Sequence, residues 1–172
     1  MTARPRFWIV AGPNGSGKST AYGHGDVMGL DGSVWIINPD LLTARLQQAE
    51  NLDLLAANLA AVQRIENWLD SSIEVHQTIG VETVLSSGKY RRLVEKARAR
   101  NFEICCVYVY LQTIDLQLER IRLRVAKGGH DVPPDKVADR RRRSFEQFSW
   151  FFWKAERSWI FDNSGSEPAL VG

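Results

Sequence analysis

Residues 7–20, FWIVAGPNGSGKST from Phe7 to Thr20, decide the fold of this chain. Phe7 to Ala11 are five successive apolar residues, the length and character of a strand buried on both faces. The next residues are glycine-rich, and Gly12, Gly17, Lys18 and Ser19 satisfy the spacing G-x-x-x-x-G-K-[ST], the phosphate-cradling or Walker A pattern. Each residue type has a physical reason. Gly12, Gly15 and Gly17 let the backbone turn where a side chain would obstruct it and let it approach an anion. The amides from Pro13 to Thr20, apart from proline's own, then converge on that anion at the start of a helix. Gly12, Pro13, Asn14, Gly15, Ser16, Gly17, Lys18, Ser19 and Thr20 are therefore the expected binding residues for ATP. Lys18 supplies a point charge for the β- and γ-phosphates, and the Ser19 hydroxyl is placed to ligate Mg²⁺.

Outward from that stretch, strands and helices alternate. Ser33 to Ile37, SVWII, read as a second strand, followed by Asn38-Pro39-Asp40. Asn38 is a favourable N-cap and Pro39 a favourable first helical residue. Glycines at 23, 25 and 29 predict a short first helix and a loop around residues 29–32. Leu55, Leu59, Val62, Ile65, Leu69 and Ile73 recur at helical spacing and predict an amphipathic helix over about 53–76. Residues 78–85 read as a third strand with Glu82 near its end, 88–100 as a charged surface helix, and 103–111 as the most continuously apolar strand. A short strand over 159–161 and a possible edge strand over 168–171 close the chain. This alternation predicts a parallel sheet within one α/β domain spanning residues 1–172.

Between the last two long elements the character changes. Ile114, Leu118, Ile121 and Val125 make one helical stripe, and Arg120 and Arg124 lie four apart on another face. A Gly128-Gly129-His130 turn leads to a second helix from about residue 134, with Val137, Phe145, Phe148 and Phe152 as its apolar stripe and arginines at 140–143. Two arginine-bearing helices joined by a glycine hinge predict a helical lid over about 113–150 that closes on phosphates and excludes water.

The 172 residues, 44% hydrophobic and 24% charged, are ordinary for a globular domain. Net charge is +2, yet residues 91–157 hold 16 Lys/Arg against 9 Asp/Glu. That excess requires an anionic partner, which a bound nucleotide satisfies, and nucleic acid is not an expected one. No apolar run reaches the length of a membrane span. The basic start and short apolar run are too brief for a signal peptide. Cys105 and Cys106 are adjacent, fit neither a disulfide framework nor a metal pattern, and suit a reducing cytoplasm.

Phosphoryl transfer needs positioned charges more than covalent chemistry. Asp40, directly after a strand, is the expected base for an acceptor hydroxyl. Glu82 is expected at the acceptor or beside the metal, and Arg120, Arg124 and Arg140 are the leading cations for the transferred group, with Arg141 and Arg143 behind them. Asn163 follows the last strand, where a nucleotide base is expected to lie.

GPNGSGKST, NPDLL, VETVLSS, the arginine-rich GGHDVP hinge region and IFDNSG together resemble the zeta-toxin-like family of phosphate-loop kinases, over nearly the whole chain. The resemblance implies a P-loop, adenylate-kinase-like three-layer α/β/α sandwich with a central parallel sheet. It implies transfer of the ATP γ-phosphate to a small hydroxyl acceptor, in that family the sugar of UDP-N-acetylglucosamine, with toxicity held off by an antitoxin protein. By the same analogy Lys18, Asp40, Arg120, Arg124 and Arg140 are catalytic, Asp40, Glu82 and Thr83 lie at the acceptor, and Ser19 binds Mg²⁺. Other readings of the residues are transfer to a nucleoside, another sugar or a polynucleotide end, and an ATP-dependent binding switch without catalysis.

Overall fold

A computed structural model describes residues 4–23, 34–128 and 132–172. The expected loop at 29–32, His24 and the hinge residues Gly129 and His130 lie outside them. Twelve elements follow in order: β1 (Arg6–Ala11), α1 (Lys18–Gly23), β2 (Ile36–Ile37), α2 (Pro39–Glu50), α3 (Leu54–Glu74), β3 (Ile79–Thr83), α4 (Arg91–Ala99), β4 (Glu103–Tyr110), α5 (Ile114–Ala126), α6 (Pro134–Lys154), β5 (Arg157–Asp162) and β6 (Ala169–Leu170). Among the described residues they form one sheet in the order β2-β3-β1-β4-β5-β6. The pairs from β2 to β5 are parallel, and β6 adds an antiparallel edge.

Helices cover both faces, giving the α/β/α sandwich. On one face Phe7, Ile9, Val81, Ile104 and Cys106 pack against Ile65, Leu69 and Ile73 of α3, Leu93 and Val94 of α4, and Phe151 of α6. On the other, Trp8, Val10, Cys105, Val107 and Phe161 meet Ala21 of α1. Alternation along β4 thus sends the two cysteines to opposite faces, both buried and free. Burial pushes both thiols up to about 12. Each large apolar side chain withdrawn from water in these layers contributes about 1.5–3 kcal/mol.

Three expectations change in detail. The second strand is only Ile36–Ile37 among the described residues; Trp35 before it is exposed, its ring tilted against Trp68 with ring centres 5.4 Å apart, while its carbonyl still accepts from the Gly80 amide at 3.0 Å. In α3 the stripe holds for Ile65, Leu69 and Ile73, but Leu55 and Leu59 are 81% and 60% exposed. There the helix leaves the sheet and packs on α2 through Ala57 and Ala61, whose small side chains admit Leu46. In α6 the buried line is Val137, Ser144 and Phe151, while Phe145 and Phe152 are partly exposed. The helix touches the sheet along a seven-residue repeat, and Phe148 reaches it by stacking on Tyr108 at 4.1 Å.

Gly80 sits in β3 between β1 and β2. A Cβ there would meet Ile36 Cδ1 at 2.5 Å and Trp8 Cβ at 2.6 Å. Gly80→Ala is expected to destabilise the chain by about 1–3 kcal/mol through overpacking, read from the urea unfolding midpoint.

Candidate active site

The sheet order sets the site. β1 is central, and the phosphate loop leaves its carboxyl end. β2 lies two places away and hands the chain to α2 through Asn38, whose side chain accepts from the amides of Asp40 and Leu41 at 3.0 and 3.2 Å. This cap holds Asp40 in the first turn, exposed toward the loop. β3 lies between them, with Glu82 in register with Val10. Lys18, Asp40, Glu82, Thr83, Arg124 and Arg140 all line one cavity of about 280 Å³ at this edge.

The loop is held by contacts that leave no room for substituents. A Cβ on Gly12, at φ +150°, would lie 2.0 Å from the Val109 carbonyl of β4. Gly17, at φ +79°, faces Asn163 Nδ2, which donates to the Ser16 carbonyl at 2.8 Å. Asn163 is thus a buried brace under the loop. The residue was expected beside a nucleotide base; a single asparagine after a strand carries no signal for this bracing, which comes from β5 ending next to β4.

Lys18 is 8% exposed, and its ammonium donates to the Gly12 and Pro13 carbonyls at 2.9 and 3.2 Å. Burial lowers its pKa, Glu82 and Asp40 pull it back up, and Arg124 presses it down again. Ser16 Oγ and Asn14 Oδ1 are buried without a hydrogen-bond partner among the described residues. These are the features of a cradle shaped for an anion: a desolvated ammonium whose hydrogen bonds among the described residues go to loop carbonyls, with unsatisfied polar atoms beside it. Ser19 Oγ donates to Glu82 Oε2 at 2.9 Å. A hydroxyl and a carboxylate so placed fit Mg²⁺, which takes one or two protein ligands and fills the rest with phosphate and water. Glu82 therefore joins the cavity wall to the start of α1.

The arginines divide by place. Arg124 and Arg140 reach the cavity. Arg120 does not line it; it lies beside Gly17 and points Nη2 at the Gly165 carbonyl, 3.4 Å away. Arg141 faces inward for a structural reason: it donates to the Leu111 and Gln112 carbonyls at 2.7 and 3.2 Å and to Gln117. Arg142 and Arg143 pair with Asp139 along their own helix. Thr83 Oγ1 accepts from the Leu85 amide, and Leu85, buried at φ +58°, turns the chain along the cavity wall. Ser144 of α6 donates to the Val84 carbonyl at 2.7 Å and bonds Tyr108 at 3.0 Å, tying α6 to that wall. Burial pushes the Tyr108 hydroxyl up to about 12.

Residues 7–148 match the family described as AAA domain. The chain belongs to that family. The matched AAA domain runs from β1 into α6, so it contains every cavity residue named above, while Asn163 lies beyond it. A Haemophilus influenzae protein known only as uncharacterised is 25% identical over 141 residues, covering 78% of this chain and 96% of its own. In fold the AAA domain resembles a chain of the PezAT chromosomal toxin–antitoxin system of Streptococcus pneumoniae, with TM-score 0.70 and 15% identity over 99% of this chain and 72% of that one. It equally resembles a chain of AvrRxo1-ORF1:ORF2 solved with ATP, with TM-score 0.70 and 15% identity over 98% of this chain and 58% of that one. The zeta-toxin-like P-loop kinase resemblance read from the sequence therefore holds in the fold.

Asn163→Ala leaves the Ser16 carbonyl without its buried donor. It is expected to cost about 1–3 kcal/mol of stability in chemical denaturation and to weaken binding of a fluorescent ATP analogue several-fold.

Proposed function

We propose that this chain is an ATP-dependent phosphotransferase that moves the γ-phosphate to a hydroxyl of a small acceptor. The observation that carries the reading is the meeting of a buried phosphate-loop lysine, two carboxylates and two lid arginines around one cavity. A loop that only binds nucleotide has no use for a carboxylate such as Asp40, which stands across the cavity and has no ion pair among the described residues. Lys18 and the loop amides hold the donor phosphates. Ser19 and Glu82 would hold Mg²⁺, which would neutralise phosphate charge there. Arg124 and Arg140 face the transferring group from the lid and exclude water as they close over it. Asp40 orients the acceptor hydroxyl and accepts its proton as the new O–P bond forms and the bond to the ADP oxygen breaks. Arg120 supports the donor from the far side of Gly17.

The favoured acceptor is a UDP-sugar such as UDP-N-acetylglucosamine, with an antitoxin protein as regulator. The sequence resemblance and the fold likeness to the PezAT chain support this choice.

Mass spectrometry of an acceptor panel incubated with ATP and Mg²⁺ tests the reading. UDP-N-acetylglucosamine is expected to gain one phosphoryl group. Asp40→Asn is expected to keep nucleotide binding and lower transfer by about 10²–10⁴-fold, the range for a general base. Lys18→Ala is expected to weaken both. Full transfer by Asp40→Asn removes the base assignment.

A further inference from the structure

One cation in the cavity is unused by the chemistry above. Lys89 lies in the connection between β3 and α4 and lines the same cavity as Asp40. Its place is set by topology. Asp40 follows β2 and Lys89 follows β3, so both belong to the outer half of the sheet's carboxyl edge. The phosphate loop follows β1, and Asn163 and Gly165 follow β5, so the donor's half lies on the other side. The lid arginines come from α5 and α6, which connect β4 to β5. Lys89 is therefore the acceptor side's own cation.

No close anion holds its charge among the described residues. Among the described residues its ammonium makes no salt bridge or hydrogen bond. The partner it has is the face of Tyr90, 4.6 Å from ammonium to ring centre. The residue is exposed at the cavity rim, yet the surrounding protein still lowers its pKa, outweighing the attraction of Glu66. Every other basic side chain of the cavity has a reason on the donor side.

The rest of the wall agrees. Between Val84 and Lys89 it offers Ser86 and Ser87 to the cavity. Among the described residues no aromatic side chain lines it, so its contacts with an acceptor, the sugar and phosphates of a UDP-sugar included, are polar. Hydroxyls and one ammonium recognise hydroxyls and an anion.

Resting on the proposed transfer reaction, we infer that Lys89 is a specificity residue, and that the acceptor is recognised through a phosphate or carboxylate anion it carries apart from the hydroxyl that reacts. Ser86 and Ser87 bind the acceptor's remaining hydroxyls, and Asp40 stands over the one that attacks. An acceptor lacking the anion leaves the ammonium unpaired in the closed cavity.

Acceptors that differ in an anion test this: N-acetylglucosamine against its 1-phosphate, and glucose against glucose 6-phosphate and gluconate. Each is offered with ATP and Mg²⁺ to the full chain, to Lys89→Met and to Lys89→Arg. Separately, inorganic phosphate is titrated into protein loaded with a non-hydrolysable ATP analogue, which keeps the phosphate loop occupied. The anionic member of a pair is expected to have a kcat/KM about tenfold or more above the neutral one, the weight of one charge-assisted contact. The comparison of phosphate esters with gluconate identifies which anion is preferred. Lys89→Met is expected to raise the anionic acceptor's KM about tenfold or more, with a much smaller change in kcat, and Lys89→Arg to restore most of the loss. Phosphate binding to the loaded protein is expected to disappear in Lys89→Met. Equal use of neutral and anionic acceptors, an unchanged KM in Lys89→Met, or equal phosphate binding by both proteins overturns the inference. If no acceptor reacts while phosphate binding still depends on Lys89, the transfer reaction falls and the anion site stands. If neutral hydroxyls react best, the transfer stands and the anion site falls.

Discussion

The contact of Gly12 with the Val109 carbonyl governs the site. The phosphate loop lies so close to β4 that no Cβ fits between them. Asn163, arriving from β5, holds the far end of the same loop by its Ser16 carbonyl. Between these two fixed points the backbone has one path. That path buries Lys18, delivers its ammonium to the mouth of the loop, and starts α1 in a direction that turns Ser19 toward Glu82. The conformation of the loop is therefore a property of three neighbouring strand ends, and its glycines are what permit the approach.

The same strand order separates two kinds of charge. On the central strand and toward β5 stand Lys18, Asn163 and Arg120. On the outer strands stand Asp40 and Lys89, with Glu82 at the boundary. A ligand placed across the boundary meets cations on one side and a carboxylate with one cation on the other. In open α/β sheets the carboxyl edge is where ligands bind, and here the division of charge along that edge gives the site a direction. Helix α6 is anchored to this edge. Ser144 bonds the Val84 carbonyl and Arg141 bonds the carbonyls after β4, so Arg140, one turn before Ser144, is presented from a fixed surface.

Much of this was legible in the chain. The apolar run before Gly12, the Asn38 cap, the alternation of elements and the burial of β4 on both faces are local patterns, and the structure keeps each of them, with strand bounds that move among the described residues: 33–37 shortens to Ile36–Ile37, 78–85 to Ile79–Thr83, and 159–161 lengthens to Arg157–Asp162. Lys18 and Asp40 stand out in the sequence because each follows a strand, and Glu82 because it lies near the end of one; all three line the cavity. The arginines were harder. Seven of them between residues 120 and 143 share one charge and similar helical spacing, yet Arg124 and Arg140 reach the cavity, Arg120 lies behind the loop, and Arg141 and Arg143 bind protein groups. Which face of a helix looks inward depends on the angle at which it crosses the sheet, and periodicity does not contain that angle. The same limit explains Leu55 and Leu59, apolar at helical spacing but exposed where α3 leaves the sheet for α2.

The sequence by itself determined the order of strands and helices, the parallel sheet, the phosphate loop and the identity of its lysine and hydroxyl, because each follows from short-range sterics and spacing. Tertiary structure alone decided that Asn163 braces the loop, that Glu82 pairs with Ser19, and that Lys89 shares a cavity with Asp40. These contacts join residues far apart in the chain, and strand order brings them together through packing of the whole sheet.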